Sequence, residues 1–317
     1  MLRSLLLSAS LAAAAGAALA EPFSFVLLGD APYGKPEEVY PPFRTLIETV
    51  NSRDPALVIH IGDTKSGSTE CSDRMLDEQL AFLRSFEAPL LYSLGDNEWT
   101  DCHRHAAGGY DPEERLAYIR QHYFADPSAS FGKAGAAVES QAARGYPENA
   151  RLEKDGILFV TAHVVGSNNN FEPRDMAAVE EFMARDAATA DWLVESFDKG
   201  RDAKAIVVAI QADMFESDFG PAWDPEGFLG QSGFAHFGET LKTLSNRFAR
   251  PVLLVYGDSH VFRMFRPFPK TAPFVMALET FGSANMHAVE VSVDPDDAFP
   301  FSVHPLLNPA RPFAAPE

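Results

Sequence analysis

Beyond residue 20, the 317-residue sequence has no apolar run long enough to cross a bilayer as a helix, so a soluble mature chain is expected, the alternative being that the apolar segment before residue 21 is retained as a membrane anchor. Cations are scarce as well. Lys and Arg number 26 against 45 Asp and Glu, giving a net charge of -19. Binding to long nucleic acids leaves a basic footprint, and only short basic spots such as Arg263, Arg266 and Lys270 occur, so polyanions are poor partners. No Gly/Ser linker, low-complexity tract or internal repeat divides the chain. With 46% hydrophobic residues it can bury one large core, which places a single domain over 21–299 and leaves the Pro-rich segment 300–317 as an irregular tail.

Cysteine is nearly absent, and its two occurrences, Cys71 and Cys102, bear on the compartment. The amino terminus opens on Arg3, continues through Leu5-Leu6-Leu7 and an alanine run, and reaches Ala18-Leu19-Ala20 before Glu21. This is the pattern of a secretory signal peptide over 1–20, directing the protein to the periplasm or outside the cell. In an exported chain a pair of cysteines is expected to bridge, the alternative being two separate buried thiols. Cys71 lies eight residues beyond Asp63 and Cys102 six beyond Asp96, so a bridge would join two loops leaving two expected strands.

Short apolar runs alternate with amphipathic stretches of helical length. Strands are expected at 23–28, 58–61, 90–94, 157–165, 205–210 and 252–256, and helices at 37–51, 72–86, 112–124, 174–197 and 238–248, which argues for an α/β fold. The runs 275–278 and 288–293 follow with no helix between them and read as a second sheet region with antiparallel strands.

Four of these strands end alike: Leu28-Gly29-Asp30, Ile61-Gly62-Asp63, Leu94-Gly95-Asp96 and Tyr256-Gly257-Asp258. They are the only Gly-Asp dipeptides in the chain. One such pair is ordinary turn chemistry, but four project carboxylates from the carboxyl ends of strands, where open α/β sheets place their sites. Clustered carboxylates repel one another unless a cation neutralises them, so a divalent metal site is the economical explanation.

In order and position these residues resemble the calcineurin-like metallophosphoesterases, whose pattern is Asp-x-His, Gly-Asp, Gly-Asn-His-Asp/Glu, a lone His, then Gly-His-x-His. Gly29-Asp30 and Gly62-Asp63 match the first two blocks, and Gly95-Asp96-Asn97-Glu98 and Gly257-Asp258-Ser259-His260 resemble the third and last. The departures are Pro32 for a ligand histidine, Asp96 for the asparagine ligand, Asn97 for the histidine that assists the leaving group, Gln211 for the lone histidine, and Asp258 for the first histidine of the last block. The resemblance implies an αββα sandwich of two packed mixed sheets flanked by helices, and a metal-dependent hydrolase acting on a small phosphorylated substrate. It also implies one ion at Asp30, Asp63 and His260, and another at Asp63, Asp96, Asp258 and the Gln211 carbonyl, with a single ion as the alternative. So oxygen-rich a set suits Mn, Mg, Ca or Fe better than Zn. Two ions roughly 3.5 to 4 Å apart would clamp a phosphoryl group and lower the pKa of a bridging water.

Further catalytic candidates stand nearby. Glu98 keeps the acidic position of the third block. His103 and His105 flank Arg104 on the same exit loop, placed to supply the imidazole that Asn97 lacks or to bind phosphate, and His163 ends the strand over 157–165. Each also reads as a surface or satisfied core residue. Gly257-Asp258-Ser259 resembles the start of an esterase signature, but it lies late in the chain with no Asp-x-x-His after it, and Gly230-Gln231-Ser232-Gly233 lacks the spacing of a nucleophile elbow. The remaining rival is a protein of the same fold that binds metal or ligand without turnover, favoured by Pro32, Asn97, Gln211 and Asp258.

Overall fold

The computed structural model describes residues 21–215 and 233–312, so the segment read as a signal peptide and Gly230-Gln231-Ser232 lie outside the described residues. Strand β1 (Phe23–Leu28) runs parallel to β2 (Leu57–His60), which runs parallel to β3 (Leu90–Tyr92). The registers pair Leu28 with His60 and His60 with Tyr92, so the three strands end side by side and their Gly-Asp turns emerge at one edge. Helices α1 (Pro36–Ser52) and α2 (Asp73–Leu83) are the crossovers. In α1 the apolar positions Val39, Phe43, Leu46, Ile47 and Val50 make one buried stripe, and Pro36 starts the helix where its missing N–H costs nothing.

A second sheet has the order β4 (Glu139–Gln141), β5 (Tyr146–Lys154), β6 (Ile157–Thr161), β7 (Ala205–Ala209), β8 (Val252–Tyr256), β10 (Val275–Glu279), β9 (Arg263–Phe265). Strands β6, β7, β8 and β10 are parallel, with Thr161 beside Ala209 and Ala209 beside Val255, so Gln211 and Asp258 also leave together. Helix α3 (Pro112–His122) precedes this sheet. The short α4 (Gly166–Asn169) and the long α5 (Met176–Lys199) separate β6 from β7, and α6 (Ala235–Phe248) separates β7 from β8.

Alternation along the strands builds three apolar layers. Phe25, Leu27 and Ile59 meet Phe159, Val207 and Val255 between the sheets. On the outer faces Val26 and Val58 pack on Phe43 and Leu76, and Val160 and Val208 on Trp192 and Leu241. This is the expected sandwich of two mixed sheets flanked by helices. Among the described residues, no helix is long and apolar enough to cross a membrane.

The carboxyl-terminal third departs from expectation in two ways. The runs at 275 and 288 do not form a sheet of their own. Strand β10 lies parallel to β8 in the second sheet, while β11 (Ala288–Val293) crosses to the first and pairs antiparallel with β1. The tail from 300 is not irregular throughout either, because β12 (Phe301–Leu306) pairs antiparallel with β11 at the sheet edge, where the missing N–H of Pro305 is tolerated. The 139–154 stretch, expected to be irregular, is the antiparallel pair β4–β5.

Candidate metal centre

Three of the four strand-exit aspartates adopt an unusual backbone. Asp30, Asp63 and Asp258 have φ of 50°, 53° and 77°, in the left-handed region that Asp enters more readily than most residues. The glycine before each makes room. A Cβ on Gly95 would lie 2.1 Å from Asp63 Oδ1, and one on Gly257 would lie 2.0 Å from Asp30 Oδ2. At Gly95 and Gly257 glycine is therefore required by the closeness of the carboxylates themselves.

Asp30, Asp63 and Asp96 are buried, and Asp258 is half-buried beside them. Asp63, Asp96 and Asp258 each place one oxygen within 4.8 Å of the others, and Asp30 lies behind them, its Oδ1 accepting Asp258 N–H at 3.0 Å. Burial, and then the neighbouring Asp258, pushes the Asp30 carboxyl well above the ordinary range. Burial, followed by Asp96 and Glu98, does the same to Asp63, and burial raises Asp96. Asp30 Oδ2 and Asp96 Oδ1 are buried acceptors with no hydrogen-bond partner. Buried, unpaired, mutually repelling oxygens are what a divalent cation satisfies, and an all-carboxylate cluster suits a hard ion. The residues therefore fit the metal that the sequence pattern implies.

The other candidate residues divide into those at the cluster and those away from it. Asn97 is at the cluster, its Nδ2 donating to Asp63 Oδ2 at 2.6 Å and its backbone N to Asp63 Oδ1 at 3.2 Å. His260 Nε2 is 3.7 Å from Asp30 Oδ1, and burial lowers its pKa. Gln211 is fully buried, but its Oε1 accepts Gly166 N–H at 2.6 Å and its Nε2 has no partner. A backbone N–H needs an acceptor, so the amide orientation is fixed, and one of the two lone pairs on the oxygen offered to a metal is engaged. Glu98 accepts from Gly95 N, Asp63 N, Thr64 N and Thr64 Oγ1, which pins the second exit loop to the third and fills its acceptor positions. His163 lies apart, its Nδ1 2.7 Å from Glu148 Oε1 and its ring edge-on to Trp99, with burial lowering its pKa to about 4. His103 and His105 are both exposed. His103 lines a cavity, while His105 makes no hydrogen bond to the carboxylates among the described residues.

Four site residues escaped the sequence reading. Tyr33 donates its hydroxyl to Asp63 Oδ2 at 2.8 Å and packs edge-on to His260. Gly166 lies over the cluster, where a Cβ would stand 2.8 Å from Asp96 Oδ2 and 2.9 Å from both Asp258 oxygens. Ser167 Oγ is 2.9 Å from Asp96 Oδ2 and 2.8 Å from Asp101 Oδ1, and Asp101 pairs with Arg104 at 2.5 Å. Ser167, Asp101, Arg104 and His103 line a cavity of about 410 Å³ that opens beside Asp96. Cys71 and Cys102 form a disulfide behind these loops.

No sequence-family profile matches the chain, and no curated protein matches its sequence. Solved structures do. A purple acid phosphatase from yellow lupin (Lupinus luteus) seeds aligns with 90% of this chain and 54% of its own at 12% identity, with a TM-score of 0.50. A dimetal phosphatase from Danio rerio aligns with 91% of this chain and 100% of its own at 12% identity, with a TM-score of 0.49. A 5'-nucleotidase from Candida albicans aligns with 89% and 50% at 12% identity, with a TM-score of 0.44. The chain thus spans about half the length of the lupin and Candida proteins. At such identities the likeness is one of fold, and the fold is the calcineurin-like metallophosphoesterase sandwich.

Proposed function

We propose, on the calcineurin-like metallophosphoesterase fold that the chain shares with the lupin phosphatase, that it is an exported metal-dependent phosphoesterase hydrolysing a small phosphate ester. The observation that carries this reading is the convergence of Asp63, Asp96 and Asp258, each with one oxygen within 4.8 Å of the others, together with the buried, unpartnered Asp96 Oδ1 and, behind the cluster, Asp30 Oδ2. Those three carboxylates would hold the divalent metal, with His260 and Asp30 beside them. When bound, such an ion acidifies water and draws charge from a phosphoryl oxygen.

The chain's own residues supply the rest. Gln211 enters as a donor and not as a ligand, because the free end of its side chain is the amide N–H₂, which suits an anionic phosphoryl oxygen. Arg104 stands at the mouth of the adjoining cavity, held by Asp101 and Ser167, where a guanidinium can take a second phosphate oxygen. Asn97 has no proton to give a leaving group at neutral pH. His103, which lines the same cavity, is the imidazole placed to do so, and His105, exposed beyond it, is not. The segment 1–20 and the Cys71–Cys102 disulfide support export into an oxidising compartment.

The test is hydrolysis of phosphomonoesters and phosphodiesters by metal-stripped protein given Mn, Mg, Ca, Fe or Zn separately. Turnover restored by a hard cation is expected. Bound metal with no hydrolysis under any cation would leave the protein as a binding member of the fold. His103→Ala should lower turnover by about 10²-fold or more on esters with poor leaving groups and far less on nitrophenyl esters. An equal loss on both would remove the acid role.

A further inference from the structure

We infer that the centre binds one divalent ion and not two, because Asn97 and Tyr33 close the Asp63 oxygen through which a second ion would be shared. This rests on the phosphoesterase reading only for the presence of a divalent ion.

An ionised carboxylate offers about four lone-pair positions, two on each oxygen. Asp63 Oδ2 accepts from Tyr33 Oη at 2.8 Å and from Asn97 Nδ2 at 2.6 Å, which fills both of its positions. Asp63 Oδ1 accepts from the Asn97 backbone N at 3.2 Å, which fills one more. A single position is left. The two donors also support each other, since Asn97 Nδ2 sits 2.8 Å from Tyr33 Oη, and the three groups form a closed ring of hydrogen bonds.

The remaining Asp63 position is left for the ion held with Asp96 and Asp258, since one oxygen of each of the three carboxylates lies within 4.8 Å of the others. On the other side the ligands run out. Position 32 is proline, whose side chain has no ligand atom, and one of the two positions on Asp30 Oδ1 is taken by Asp258 N–H. Among the described residues, a second ion there would have Asp30 and His260 as its protein ligands, and two protein ligands do not make a tight site for a hard cation. Asp30 is instead a positioning residue. It holds the backbone of Asp258 in its left-handed conformation and thereby aims the Asp258 carboxylate at the ion.

Mn²⁺ stoichiometry on the metal-stripped mature protein, by equilibrium dialysis with electron paramagnetic resonance, tests this without reference to activity. One tight equivalent per chain and the hyperfine pattern of an isolated ion are expected. Asp258→Asn should weaken binding by more than about 100-fold, and His260→Ala by less than about 10-fold, with folding of each checked by circular dichroism. The double variant Asn97→Ala/Tyr33→Phe, which frees both positions on Oδ2, should take up a second equivalent and show exchange-coupled spectra. Two tight ions in the wild type, ion loss in His260→Ala but not in Asp258→Asn, or a double variant that stays at one equivalent would each overturn the inference. Two ions with turnover would leave the phosphoesterase reading intact, whereas one ion without hydrolysis would overturn that reading and leave this one standing.

Discussion

At the residue scale the site depends on what is missing from glycine as much as on what aspartate carries. Gly257 has an ordinary backbone, yet a methyl group there would sit 2.0 Å from Asp30 Oδ2 and 2.4 Å from Ile61 Cδ1. Gly257→Ala should therefore push Asp30 away from the Asp258 N–H it accepts and cost about 1 to 3 kcal/mol in urea unfolding. Metal-induced stabilisation should be lost with it. An alanine variant with wild-type stability and metal response would show that the carboxylates do not need this closeness. The four Gly-Asp pairs were legible because glycine and aspartate are neighbours in sequence and each pair closes an apolar run. Tyr33, Ser167 and Asp101 were not, since each joins the site by a side-chain hydrogen bond from a loop with no periodic pattern. The orientation of Gln211 was equally hidden, because it is set by Gly166 N–H, 45 residues away.

At the scale of elements, strands and helices with strong apolar periodicity were read within a few residues of their ends, and the weakly apolar edge strands were not. Strand β5 buries only Glu148, Asn149 and Ala150 of its nine residues, so no apolar run announces it. Strand β12 contains Pro305 and exposes Ser302, His304 and Pro305 in part or whole, which reads as a tail until β11 is there to pair with it. The second and third exit loops are held by two devices, the acceptor positions of Glu98 and the Cys71–Cys102 disulfide, with a sequence separation of 31 between its ends. Closing a loop of that length removes unfolded-state entropy worth about 2 to 4 kcal/mol. The Cys71→Ser/Cys102→Ser double variant should lose that much stability by denaturant unfolding and bind metal more weakly, because the loop carrying Asp96 is less well anchored. Unchanged metal affinity alongside the stability loss would confine the bridge to a structural role.

At the scale of the whole molecule, the candidate metal centre joins the two sheets. Asp30, Asp63 and Asp96 leave the first sheet, while Gln211, Asp258 and His260 leave the second, so the cluster exists only when the sheets are packed face to face. An ion that binds this arrangement and not the unfolded chain stabilises the packed state by about 2.7 kcal/mol at a hundredfold excess over its dissociation constant, or roughly 5 to 10 °C in Tm. The size of that effect must depend on pH. In the metal-free protein Asp30, Asp63 and Asp96 have pKa values raised above the usual 3.8 of an aspartate, by burial and by one another. A raised carboxyl contributes stability that is fully present below the unfolded pKa and lost as pH rises through the folded one, so the empty cluster weakens the fold progressively toward neutrality. The ion needs the same groups ionised and displaces their protons, so its stabilisation grows over the interval in which the metal-free protein loses ground. Thermal unfolding with and without Mn²⁺ should accordingly show a small shift at about pH 5 and a larger one at about pH 7.5, and Asp96→Asn, which removes one of the repelling charges, should raise the Tm of the metal-free protein at about pH 7.5 while abolishing the shift. Equal Mn²⁺ shifts at both pH values would mean that the ion binds groups already ionised in acid, on the exposed acidic surface and not between the sheets.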